Sequence, residues 1–480
     1  MKKFSLLFVF MIFCISCIKS FVYGKMLTID NYLAMIAKNN NEWKSIQAEI
    51  DAIKGKLDEI ERVYVFSFTA GISYSDDKSG RPYSQSLKLD DLINWKYDAS
   101  LNKQFETGTK VYLGVDGSYG TYDYVNTDKY SIKDIVPFVK LEQSLWKDIN
   151  GGSTKASIAK QKASARSQLY LYEYKKQKFL LDAIKAYWDL SYARTIVDFK
   201  IVSFDRKKKI LEWNQRRYKM DLVEKSDLLQ SQAAVKSGEL NLKIAYEDES
   251  KNNRTFNLFI NINEDNVRYD VEKFEDKGNS FKVDKDLLRK GTRADVLSAL
   301  EDVNAALYDQ EVSQRSRGAD LVFEGKYAFN NVAQNQTSKS FERIKDGDRS
   351  SYSIGLRYTL PLDFKLRKVI DKGYEAAKIA AQSSAESVAS KENNDWIQLL
   401  DNWNNTRIRL EVAFDIEKIQ RQRYEEDRKL LQRGRTTTYM VLQSEEDLDS
   451  STLNVLKGIL ELIKIDEEVK AFYSGVNEVL

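Results

Sequence analysis

From Ser153 to Ser237 the chain runs 85 residues without a glycine or a proline. Those two residue types punctuate structure, so such a run is free to be continuous helix. Its apolar residues keep helical steps: Leu180, Ala183, Tyr187, Leu190, Ala193, Val197, Ile201 and Phe204 recur at intervals of three and four. That is the seam spacing of a coiled coil. One helix over 154–219 would be on the order of 100 Å long, more than a compact domain needs. The returning segment alternates large and small residues, Leu228, Ser231, Val235, Gly238, Leu242 and Ala245, which predicts close backbone approach. Leu448, Thr452, Val455, Ile459 and Leu462 repeat the spacing, and ten of the sixteen residues 375–390 are Ala or Ser. With three prolines and 21 glycines in 480 residues, long elements are expected rather than several small domains.

Short stretches between these helices have a different period. "YVFSFTAGIS" (64–73) puts Tyr64, Phe66, Phe68, Ala70 and Ile72 on one face and Val65, Ser67, Thr69, Gly71 and Ser73 on the other. Trp95, Tyr97, Ala99, Leu101 and Phe105 share a face with Lys103 as the exception, and Tyr352, Ile354, Leu356, Tyr358, Leu360 and Leu362 share another. Leu321, Phe323, Tyr327 and Phe329 follow suit. Strict period two means that one face meets an apolar phase and the other something wet. A half-buried sheet in a soluble sandwich gives the same alternation. Runs of about 10 residues with aromatic-rich apolar faces also fit tilted strands that cross a bilayer in a barrel.

At the N-terminus, "MKK", the apolar run Phe4–Ile18 and the small-residue exit Val22-Tyr23-Gly24 read as a secretory signal over 1–24. Both cysteines, Cys14 and Cys17, lie inside it, so the mature chain has no disulfide or thiolate under this reading. "CISC" also resembles a lipoprotein box, with Cys14 where Leu is usual, in which Cys17 would carry the lipid; both readings stand. Lys2, Lys3 and Lys19 account for the net charge of +3, and the remainder balances 72 bases against 72 acids. Nothing there favours nucleic acid as a partner. The charged run 205–220 reads as a solvated helix face. Histidine is absent, which removes the commonest general base and metal ligand. No phosphate loop or nucleophile elbow is present, and a pair such as Glu445 and Glu446 is expected by chance among 72 acids. Neither an enzyme nor a cofactor or metal site is expected.

The chain also matches itself. "RYKMDLVEKSDLLQSQ" (217–232) aligns with "LLQRGRTTTYMVLQSE" (430–445), setting Asp221 opposite Gly434. Each would end one helix and begin a returning one, where a left-handed residue is needed; Gly supplies it and Asp tolerates it. "LEQSLW" (141–146) and "YTLPLD" (358–363) each close strands before a long helix, and "NNEWKSIQAEI" (40–50) parallels "TRADVLSALED" (292–302). The expected unit is helix, strands, long helix, tip turn and return helix, used twice. The first repeat spans 25–262, with strands within 63–146 and its tip near 221. A linker over 263–291 leads to the second repeat, 292–473, with strands within 319–362 and its tip near 434. Residues 474–480 form a tail.

In their order and spacing, "LTIDNYLAMIAKNNNEWKSIQAEI" near the mature start, "AYWDLSYA" (186–193), both tip segments, "TRADV" and "YTLPLD" resemble the TolC family of outer-membrane efflux proteins, from about Leu27 to about Tyr473. The resemblance implies a mainly α fold with β: a homotrimer whose strands close one outer-membrane barrel against lipid, continued by a long periplasmic coiled-coil tunnel. It implies a passive exit duct for efflux or type I secretion, gated at its helical end and served by a periplasmic adaptor and an inner-membrane RND or ABC pump. Tyr64, Phe66, Phe68, Ile72, Tyr352, Ile354, Leu356 and Tyr358 would face lipid. Asp221, Leu222, Val223, Gly434, Arg435 and Thr436 would meet the adaptor, and Asp227, Met440 and Gln443 would flank the aperture. Two features depart from the family. The first repeat holds four strand candidates, 64–75, 95–105, 109–122 and 137–146, where two are usual, with "ETGT" (106–109) as the turn of an extra hairpin that either enlarges the barrel or stands outside it. The tips read Asp-Leu-Val and Gly-Arg-Thr where Gly-Leu-Val or Gly-Thr is common. The alternative is a trimeric surface stalk or adhesin with a barrel anchor.

Overall fold

The first helices among the described residues are α1 (Ile29–Asn39) and α2 (Asn41–Ile60), where the apolar spacing of residues 27–62 reads as helix. Asn40 divides them: its backbone is extended, its Oδ1 accepts from the Trp43 N–H at 2.8 Å, and its Nδ2 donates to the Phe259 carbonyl at 2.9 Å. The structure, a computed structural model, describes residues 26–79, 89–125, 129–263, 267–274, 291–330, 332–334, 350–362 and 364–472. The signal segment with Cys17, most of the linker and the tail lie outside the described residues.

Four strands follow, β1 (Ser67–Asp77), β2 (Leu89–Gln104), β3 (Thr109–Tyr124) and β4 (Tyr130–Ser144), then α3 (Gly152–Tyr218) and α4 (Lys225–Phe259). The second half runs α5 (Ala294–Ser316), β5 (Asp320–Phe329), β6 (Val332–Gln334), β7 (Ser350–Thr359), α6 (Phe364–Gln432) and α7 (Thr438–Ala471). The long glycine- and proline-free run is thus one 67-residue helix and the start of its return. No described helix is long and apolar enough to cross a membrane.

The chain divides into two compact units. The strand unit, residues 49–172 and 294–391, holds one antiparallel sheet in the order β1-β2-β3-β4-β5-β7. β6 pairs with the far end of β4 in the register that β5 already has, so the two form one lane. The hairpin turn at 106–109 is tied to the start of α3. Gly108 and Gly151 both have positive φ, and a Cβ on Gly151 would lie 1.9 Å from the Glu106 carbonyl oxygen, so only glycine fits. Asp148 caps the helix, accepting from the Thr154 N–H at 2.9 Å and its hydroxyl at 2.7 Å.

The helical unit comprises residues 1–48, 173–293 and 392–480. Its best-buried part is the stretch "AYWDLSYA": Tyr187, Trp188 and Leu190 are fully enclosed. Tyr187 donates to the Leu27 carbonyl at 2.6 Å and accepts from the Glu272 N–H at 3.1 Å, and burial pushes its phenol up to about 12. Tyr32 stacks on Phe256 at 4.2 Å and donates to that residue's carbonyl. The small seam residues Ser231, Gly238 and Ala245 are buried, and a Cβ on Gly238 would press on Phe204 at 3.2 Å, so α3 and α4 approach closely as the spacing predicts.

Candidate functional site

In the strand unit the register unites the alternating faces into one surface. Reading across the paired strands, Phe68, Leu101, Leu113, Val139, Tyr327 and Tyr352 stand in a row. Two residues along, Ala70, Ala99, Val115 and Pro137 form the next. All of these belong to one face, and its large side chains are exposed, Phe68 at 73%, Ile72 at 74% and Tyr352 at 79%. Soluble monomers rarely show a continuous apolar surface of this kind. Aromatic residues mark its two ends, Phe66, Phe105, Trp146 and Tyr358 at one, Tyr74, Trp95 and Tyr119 at the other, as in the girdles of membrane barrels. Lys133 stands at that second end opposite Tyr119, and beyond it the face turns polar at Thr121, Asp123 and Ser131. Lys103, the exception on this face, lays its ammonium over Phe66 and Phe105 at 4.5 and 5.3 Å.

Tyr64 and Phe66 fall outside the strand that the sequence pattern suggests. Residues Glu61–Tyr64 form a 3-10 turn, closed by the Val65 N–H on the Arg62 carbonyl at 3.0 Å, and β1 begins at Ser67. Phe68, Ile72, Tyr352, Ile354, Leu356 and Tyr358 occupy the exposed apolar face. The opposite face carries both signs of charge: Lys326 meets Asp116 at 2.9 Å, Lys140 meets Glu142, and Arg357 pairs with Glu324. Tyr112 donates to Glu142 at 3.2 Å.

In the helical unit the two tip turns have the same backbone geometry. Asp221 and Gly434 have φ of 55° and 70°. At each turn two N–H groups reach back to the last carbonyls of the helix, Asp221 to Tyr218 and Leu222 to Arg217, Gly434 to Leu431 and Arg435 to Leu430, at 2.9–3.0 Å. Both are Schellman caps. Asp221, Leu222, Gly434 and Arg435 are exposed, and Val223 and Thr436 half-buried. The buried Asn214 amide joins the two hairpins, donating to Ser231 at 3.0 Å and Thr438 at 3.1 Å. Asp227 lies half-buried in the first turn of α4. Met440 is exposed in that of α7, held by its N–H on the Thr437 hydroxyl, and Gln443 donates to Asp447 at 3.1 Å.

The structure is similar to the outer membrane protein VceC from Vibrio cholerae, with a TM-score of 0.67 over 93% of this chain and 96% of that one at 13% identity. The fold is that of outer-membrane channels. The Campylobacter jejuni CmeC outer membrane channel has a TM-score of 0.63 over 92% of this chain and 85% of its own at 14% identity. The open state of the Neisseria gonorrhoeae MtrE outer membrane channel gives 0.63, 92%, 88% and 12%. No family model and no curated protein sequence matches the chain.

Within this channel fold the helical unit holds a charged cluster that the sequence reading misses. Ile201, assigned to the apolar stripe, is exposed, and Ser203, Lys207, Ile210 and Asn214 take the inward positions. The run 205–220 is therefore only partly solvated. Lys207 and Glu445 are buried and meet at 3.3 Å; Arg206 reaches the same carboxylate at 3.3 Å and also pairs with Asp449. Ser203 donates to both acids. Burial, reinforced by Asp449, raises the Glu445 carboxyl above its ordinary range in spite of its cations. The cluster spans some 240 residues of sequence, so no local pattern announces it.

Proposed function

We propose that this chain is an outer-membrane exit duct of the TolC family, in which three copies close one barrel and their helices form a periplasmic tunnel. The observation that carries the reading is the exposed apolar face, continuous over β1, β2, β3, β4, β5 and β7, backed by a polar face and ending, among the described residues, at two open sheet edges. A strand crosses a bilayer only where each backbone group is paired, which requires a closed barrel. Among the described residues of one chain the outer edges of β1 and β7 are unpaired, so further copies must supply the partners. The element order, helix, strands, long helix, tip and return, occurs in both halves and supports two internal repeats. The duct is passive rather than enzymatic.

On this reading the tips Asp221-Leu222-Val223 and Gly434-Arg435-Thr436 dock a periplasmic adaptor that couples the duct to an inner-membrane RND or ABC pump. Their shared geometry and the Asn214 link between hairpins support a common docking end, for which a surface stalk has no use. Asp227, Met440 and Gln443 flank the closed aperture. Conductance and mass of the purified protein in planar lipid bilayers test the proposal. A trimer with small or flickering single-channel currents is expected, and a stable particle without current under any condition would remove the duct.

A further inference from the structure

We infer that the sheet closes by direct pairing of β7 in one copy with β1 in the next, with all six strand lanes of each chain in the wall, so that the outer-membrane section is a wide 18-stranded bore. The inference rests on the three-copy reading and deepens it.

Continuity of the wall is the first observation. The extra hairpin neither folds back nor stands aside: β2 and β3 pair over 15 residue pairs and join β1 and β4 without a break. Removing them from the wall would break both ladders and leave the row from Phe68 to Tyr352 in two pieces.

The edges are the second. Every residue of β7 and all but the last of β1 are exposed, and the strands are 10 and 11 residues long. An exposed edge of this length is a template for another strand. Five antiparallel steps separate β1 from β7, so β7 of one copy and β1 of the next meet antiparallel, as the rest of the sheet does. The edge side chains also complement one another. With Tyr352 set against the next copy's Tyr74, Ile354 meets Ile72 on the apolar face, while Gly355 meets Gly71 and Ser353 meets Ser73 on the polar face.

Stagger is the third. Straight across one sheet, Phe68 leads to Tyr352. Joining Tyr352 to the next copy's Phe68 would give strands with no stagger, whereas closed barrels tilt their strands by roughly 35–45°. Joining it to Tyr74 introduces six residues of stagger over six lanes. One residue per strand is the ratio found in a shear-8, eight-stranded barrel, where the tilt is about 36°. The register that sets like residues against one another across the edge therefore also gives the stagger that barrel geometry requires.

Six lanes from each of three copies make 18 strands. At a spacing of about 4.8 Å and such a tilt the backbone ring is roughly 34 Å across, against roughly 23 Å for 12 strands. Barrels of this strand number leave an open aqueous channel. The membrane section then admits cargo of polypeptide dimensions and exerts no size selection on small molecules, which leaves selection to the helical end.

Both native cysteines lie within the first 17 residues, which leaves the rest of the chain free for cross-linking. In the full-length protein, Ser73→Cys with Ser353→Cys should form an intersubunit disulfide that yields a covalent trimer, while Thr69→Cys with Ser353→Cys, four residues out of register, should not. Electron cryo-microscopy of the same preparation in nanodiscs should show a ring of about 34 Å. A trimer with a ring of about 23 Å, or one linked only by the displaced pair, would overturn the inference and leave the duct standing; a particle that is not trimeric would overturn both.

Discussion

The strand unit exposes its apolar side chains, and the helical unit buries a cluster of charges. Ile354 is 69% exposed in one, and Glu445 is fully buried in the other. Each arrangement inverts the ordinary rule for a soluble surface and core, and for a different reason. The sheet's apolar face is stable only if an apolar phase covers it. In the seam between α3 and α7 the acids and bases neutralise one another, so burial carries a cost that the pairing largely offsets. Exposure in a single chain is thus a statement about the missing surroundings in the first case and about internal pairing in the second.

The largest effect should come from unbalancing the seam. Glu445→Ala leaves Lys207 buried beside a single remaining acid, Asp449, and should cost about 3–5 kcal/mol, read as faster hydrogen exchange in α7; adding Lys207→Met should recover most of it. Persistence of the full loss in the double variant would show that packing, not charge, holds this seam. On the sheet, Ile354→Lys should cost about 2–4 kcal/mol for folding into liposomes, the effect of a cation on a lipid face. In water so exposed a position would tolerate lysine within about 0.5 kcal/mol, so a silent substitution would return the sheet to a soluble role.

Acidity sharpens the contrast further. Because the Glu445 carboxyl is raised in the folded state, its contribution to stability is fully present below its unfolded value and is lost as pH rises through the folded one. The difference in melting temperature between the native protein and Glu445→Gln should therefore fall as pH rises through the weakly acidic range, and a constant difference would contradict the assignment. The smallest effects belong to the tips. Gly434→Ala should destabilise by about 1 kcal/mol through its left-handed backbone alone, since its Cβ would meet nothing closer than Arg217 at 3.9 Å. Asp221→Gly should stabilise by up to about 1 kcal/mol; equal and opposite shifts in thermal unfolding would confirm that the two turns differ only in what strain their residue bears.

Local periodicity made much of this molecule legible. The strand faces, the 67-residue helix and the left-handed tip residues follow from alternation, from missing glycines and prolines, and from one internal match. Tyr64 escaped because period two also continued through a 3-10 turn, whose single hydrogen bond leaves no trace in the apolar pattern. Ile201 escaped because a stripe of steps of three and four drifts around a long straight helix, and the inward face there is occupied by Ser203 and Lys207.

By itself the sequence determined the elements: which stretches are strand or helix, which face of each strand is apolar, and where the helices reverse. These depend on neighbours a few residues apart. The tertiary structure decided what lies across from what. The six-lane register that makes one apolar surface, the place of the extra hairpin inside the sheet, and the pairing of Lys207 with Glu445 join residues far apart in sequence. A long-range pairing is selected by the energy of the whole packed arrangement, and no single segment holds that information.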